Sequence, residues 1–82
     1  MKTVRYTHDA IRDLKRHENM AERIMRAVAE FAANPQAHAN NVKSLVGTDA
    51  VRLRVGTYRA VFIETEAEII VVKIAPRGGV YE

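Results

Sequence analysis

At 82 residues, with a formal charge of +3, 48% hydrophobic residues and no cysteine, the chain has the size of one small domain, residues 1–82, with room for a single core. The lack of cysteine excludes a disulfide framework and a thiolate zinc site, and the longest strongly apolar run, residues 69–72, is far too short to span a bilayer. Seven Lys/Arg against five Asp/Glu up to residue 41, and six against five beyond it, spread the basic excess evenly, so any functional basicity has to come from placement.

Residues 2–6 alternate polar and apolar around Val4, which predicts a short first strand; this start lacks the long apolar stretch of a signal peptide, so a cytoplasmic protein is expected. Thr7 offers a hydroxyl as helix N-cap and Asp9 a carboxylate in the first turn, and Ala10, Ile11 and Leu14 form one apolar face up to His17. A second helix is predicted from Asn19, where Asn19 and Glu22 have the spacing of a capping box. Met20, Ile24, Val28 and Phe31 then recur on one helical face until Asn34-Pro35 ends it, because proline disfavours helix at the residue before it. The segment "QAHANNVKSLVG" reads as a loop anchored by Val42 and Leu45. Three strands follow at residues 50–55, 58–64 and 68–75, with Gly56-Thr57 as a two-residue type II′ turn and "TEAE" as the next turn. The expected fold is α+β: β-αα-βββ, a helical hairpin packed on one face of a mainly antiparallel four-stranded sheet.

A turn at Gly56-Thr57 pairs Val55 with Tyr58, Arg54 with Arg59 and Leu53 with Ala60. Alternation then sends Val51, Leu53, Val55, Tyr58, Ala60 and Phe62 to the helices, and Arg52, Arg54 and Arg59 to the other face, together with Val61 and Ile63. Like charges opposite one another in a sheet destabilise it. Three arginines on one face, with no acid on these strands before Glu64, therefore point to an anion site, since guanidinium stays charged and its planar fork matches phosphate. Arg77 and Tyr81 follow the last strand, and Gly78-Gly79 between them lets the backbone turn, which either brings both toward that face or packs Val80 and Tyr81 on the edge of the core. His8, His17 and His38 lie on the helical side or its loop and read as surface residues, and no His/Asp/Glu cluster has metal-ligand spacing.

"LVGTDAVRLRVGTYRAVF", followed by "IAPRGGVYE", resembles the RelE/ParE superfamily of small toxins from type II toxin–antitoxin modules, over nearly the whole chain. The resemblance to RelE-type members implies a toxin that enters the ribosomal A site and cuts mRNA without a metal or other cofactor. It assigns the catalytic set to Arg52, Arg54, Arg59, Arg77 and Tyr81: the arginines stabilise charge on the phosphate attacked by the adjacent 2′-hydroxyl, and Tyr81 orients or stacks the base. Two departures are visible. Positions 52 and 54 carry arginine rather than a lysine able to accept a proton, and Pro76 stands where many relatives have histidine, so the general base is unassigned; Glu64 and Glu82 are candidates only by proximity in sequence. The same fold serves two alternatives, a ParE-type inhibitor of DNA gyrase and a degenerate toxin acting with its antitoxin as a transcriptional autorepressor. All three imply a cognate antitoxin whose partly disordered segment folds on the toxin, with operator DNA reached through that antitoxin and no membrane involved.

Overall fold

The computed structural model describes residues 2–36, 42–44 and 49–76. Strand β1 (Thr3–Tyr6) leads into α1 (His8–Arg16) and α2 (Glu18–Ala33). Strands β2 (Val42–Ser44), β3 (Ala50–Val55), β4 (Tyr58–Glu64) and β5 (Glu68–Pro76) follow. They form one five-stranded sheet in the order β1-β5-β4-β3-β2. All neighbours are antiparallel except β1 and β5, which run parallel. The two helices carry the chain from β1 at one edge of the sheet to β2 at the other, and the meander β2–β5 then returns to lay β5 parallel to β1.

The expected architecture holds, with one strand more than predicted. β2 lies inside the segment read as a loop: three residues give too short an alternation to recognise, yet Val42, Lys43 and Ser44 pair with Leu53, Arg52 and Val51. Val42 does pack on the core, as expected, whereas Leu45 lies outside the described residues.

Thr7 caps α1 as predicted, its hydroxyl accepting from the Ala10 amide at 3.2 Å. The predicted capping box does not form. α2 begins at Glu18, and the cap position falls on His17, which makes no side-chain cap bond. The reason is the length of the joint. His17 alone separates the helices: its amide donates to the Asp13 and Leu14 carbonyls to close α1, while its own carbonyl accepts from Met20 to open α2. Asn19 is thereby drawn inside the first turn. The freed His17 ring instead meets β4, with Nδ1 2.9 Å from the Tyr58 hydroxyl and the rings edge to face.

Ala10 and Leu14 of α1 and Ile24, Val28 and Phe31 of α2 pack on Leu53, Val55, Ala60, Phe62, Ile69, Val71 and Ile74 of the sheet. Phe31 and Phe62 meet with centroids 5.2 Å apart. A bulge sets this packing in β5. Val61 pairs with Lys73 but Phe62 pairs with Val71, so Val72 has no partner across the ladder. The extra residue reverses the alternation. Ile69 and Val71 point inward before the bulge and Ile74 after it, and Lys73 is turned to the opposite face. The backbone there is held by α1: the Thr7 amide donates to Val71 O at 3.0 Å, and the Ile74 amide, beyond the end of β1, donates to Asp13 Oδ2 at 3.0 Å.

Candidate functional site: the basic face of the sheet

The hairpin forms in the predicted register, with Val55 opposite Tyr58, Arg54 opposite Arg59 and Leu53 opposite Ala60. Gly56 has φ 62°, and no other residue among those described has positive φ. A type I′ turn needs positive φ at both central residues, so this turn has the II′ character expected. It fixes which side chains share a face. Leu53, Val55, Ala60 and Phe62 are buried under the helices, and Val51 and Tyr58 pack at their margin.

Arg52, Arg54 and Arg59 occupy the other face; Arg54 is exposed and Arg52 and Arg59 are half-buried. Registers across the sheet add two cations that alternation along single strands did not find. Lys43, Arg52, Val61 and Lys73 form one row over β2, β3, β4 and β5, and Arg54, Arg59 and Ala75 form the next. Lys43 was missed because β2 was missed. Lys73 was missed because simple alternation with Ile69 and Val71 places it inward. The signal was there: Ile69, Val71 and Ile74 cannot all face inward without an extra residue between Val71 and Ile74.

The next row is of different character, with Ala50, Ile63, Ile70 and Arg5 in line. Ile63 is exposed, and Arg5 is paired with Glu68, Nε to Oε2 3.2 Å. On the described strands, Glu68 is the single acid on this face, and its partner is Arg5 rather than any of the five cations. Arg52 and Arg54 form no ion pair with a described carboxylate. Glu64, one candidate base, instead binds Lys2 Nζ at 2.8 Å at the far end of the strand. Among the described residues no three His, Cys, Asp or Glu converge as metal ligands, and no helix is long and apolar enough to cross a membrane. Of the five predicted site residues, Arg52, Arg54 and Arg59 are brought together; Arg77, Tyr81 and the alternative base Glu82 lie outside the described residues, as does His38.

A face built this way attracts anions. Several fixed positive charges around small apolar side chains raise the local concentration of phosphate or carboxylate and hold it with charge-assisted hydrogen bonds.

Residues 4–81 match the model of a family described as the ParE toxin of the type II toxin–antitoxin system parDE. The chain belongs to that family. It is a toxin of the ParE/RelE type. Among solved structures it is similar to a chain of the RelBE2 toxin–antitoxin complex of Mycobacterium tuberculosis, with 28% identity and a TM-score of 0.64 over 93% of this chain and 98% of that one. None of the curated proteins matches the sequence. The family resemblance read from the hairpin and the C-terminal motif is thus borne out, as is the α+β fold that it implied.

Proposed function

We propose that this toxin is a ribosome-dependent mRNA endonuclease of the cytoplasm, restrained by a cognate antitoxin. The observation that carries the reading is the cluster of Arg52, Arg54 and Arg59 on the helix-free face, with Arg54 and Arg59 opposed across the hairpin. In the proposed reaction the message lies in the ribosomal A site. The 2′-oxygen forms a bond to the adjacent phosphorus and the bond to the 5′-oxygen breaks, leaving a cyclic phosphate and a 5′-hydroxyl. One proton leaves the 2′-hydroxyl and one reaches the departing oxygen. The guanidinium groups of Arg52, Arg54, Arg59 and Arg77 stabilise the charge that grows on the phosphate, and Tyr81 orients the base. Alignment by the ribosome supplies much of the remaining rate enhancement.

The antitoxin reading is supported by the solved relative, itself part of a toxin–antitoxin complex. It is supported too by the outer side of the helices, where Ile11 and Met25 are exposed beside a cavity also lined by Tyr6, Leu14 and Ala21. An antitoxin segment with an apolar face would cover these residues, and its DNA-binding part would bring operator DNA to the complex.

Primer extension on mRNA from a cell-free translation reaction tests the reading. Cuts in reading-frame register, on translated message alone, and their loss in Arg59→Ala and Arg77→Ala with the fold retained, are expected. A second reading, gyrase inhibition, is favoured by the parDE description of the matching family and by the absence of lysine or histidine at the expected base positions. Intact mRNA combined with blocked supercoiling by purified gyrase would establish it in place of the first.

A further inference from the structure

A second group of cations lies on the helix side of the sheet, beside the end of β3. A cleft of about 490 Å³ opens between α2 and the end of β3, lined among others by Arg23, Arg26, Ala27, Glu30, Leu53 and Arg54. Its volume lies within the range of about 300–1,000 Å³ in which proteins hold small molecules or single residues of a larger ligand. Arg23 is folded over the hairpin turn: a Cβ built on Gly56 would come within 3.3 Å of both of its Nη atoms. Arg26 is partly compensated by Glu22, Nη2 to Oε1 3.0 Å. Arg23 and Arg54 have no ion pair with any described carboxylate. Two guanidinium groups with no ion pair to a described carboxylate therefore border one cleft, which Glu30 also lines, and Arg54 belongs both to it and to the sheet face.

We infer that Arg23, with Arg54, forms a phosphate-binding subsite for RNA, adjoining the proposed cleavage site. The inference rests on the endonuclease reading. A polyanion that crosses the sheet face at Arg59 and Arg54 meets the next cation, Arg23, at the edge of the hairpin. Arg23 acts in binding and takes no part in the chemistry. The phosphate belongs either to the message or to the ribosomal RNA beside it, and the recognition chemistry is the same.

The test measures single-turnover cleavage of ribosome-bound message against toxin concentration, and toxin binding to ribosomes with and without message. Arg23→Ala should raise the half-saturating concentration about ten- to a hundredfold and leave the plateau rate unchanged. Arg23→Lys should recover part of the affinity, and Arg16→Ala, an exposed charge on α1, should change neither quantity. Weaker binding only when message is present assigns the phosphate to message; equal weakening with and without it assigns the phosphate to ribosomal RNA. Arg23 is exposed on a helix, and a thermal melt confirms that the variants fold. If the wild type cuts and Arg23→Ala titrates as the wild type does, or lowers the plateau instead, the subsite is refuted while the endonuclease reading stands. If the wild type cuts no message at any concentration, the endonuclease reading fails and the subsite with it.

Discussion

Neutralising Arg54 should make the protein more stable and less active, and the two signs together test the assignment of the basic face. Arg54 and Arg59 are direct cross-strand partners next to a two-residue turn. Like charges so placed cost roughly 0.2–1 kcal/mol. Two guanidinium centres taken about 7 Å apart repel by about 0.6 kcal/mol in water, from 332/(80 × 7). Arg52, two residues back on the same face, adds to this with the same sign. Arg54→Gln keeps the side-chain stem and removes the charge, so a gain of about 0.5–1 kcal/mol is expected. For a domain of this size that corresponds to a Tm rise of about 2–8 °C at low salt. At about 1 M salt the Debye length falls to about 3 Å and the difference should vanish. Circular dichroism melts at the two salt concentrations measure the stability, and translation-coupled cleavage measures the function. A variant no more stable than the wild type at low salt, or a gain that persists at 1 M salt, would refute the claim that Arg54 meets net like-charge repulsion on this face.

Three other outcomes follow from particular contacts. Asp13→Ala strips the acceptor from the Ile74 amide beside the β5 bulge and should cost about 1–3 kcal/mol; Asp13→Asn retains an acceptor, so urea titration should show a smaller loss. Tyr58→Phe removes the 2.9 Å bond to His17 but keeps the edge-to-face ring contact, and a loss of about 0.5–1.5 kcal/mol in the same assay is expected. Burial pushes the Tyr6 phenol up from 10.0 to about 12. The native state thus keeps a proton that the unfolded chain has already released, so this contribution to stability is complete below pH 10 and is lost as the pH rises toward 12. Unfolding measured at pH 9 and pH 11 should show a shallower decline in Tyr6→Phe, and an unchanged decline would contradict the burial argument.

The hairpin was legible because turn chemistry and alternation agree: Gly56 fixes the turn, the turn fixes the register, and the register separates the arginines from the core. What escaped depends on contacts distant in sequence. The strand at Val42–Ser44 is too short to carry a pattern and exists because β3 offers an edge. The Asn19-Glu22 spacing had the form of a capping box, but a joint of one residue moved the helix start upstream. Lys73 changed faces through a bulge whose backbone is held by Asp13, 60 positions earlier, and by the Thr7 region. Arg23 reads in the sequence as one more polar residue on a helix surface; only packing of α2 beside the hairpin brings it over Gly56.

These departures have a common consequence. Both described helices pack on one face of the sheet, and the other face of a sheet in a small domain is ordinarily made harmless by mixing charges of both signs. Here the described strands place Lys43, Arg52, Arg54, Arg59 and Lys73 together while the one acid on the face, Glu68, is taken by Arg5. The bulge strengthens the imbalance: it keeps Ile74 in the core and, by the same shift, delivers Lys73 to the basic row. A stability-driven arrangement would have placed an acid opposite Arg54, where the register puts Arg59. Under the proposed function, an anionic ligand on this face, or an acidic antitoxin segment in its place, would offset the repulsion among these cations when bound.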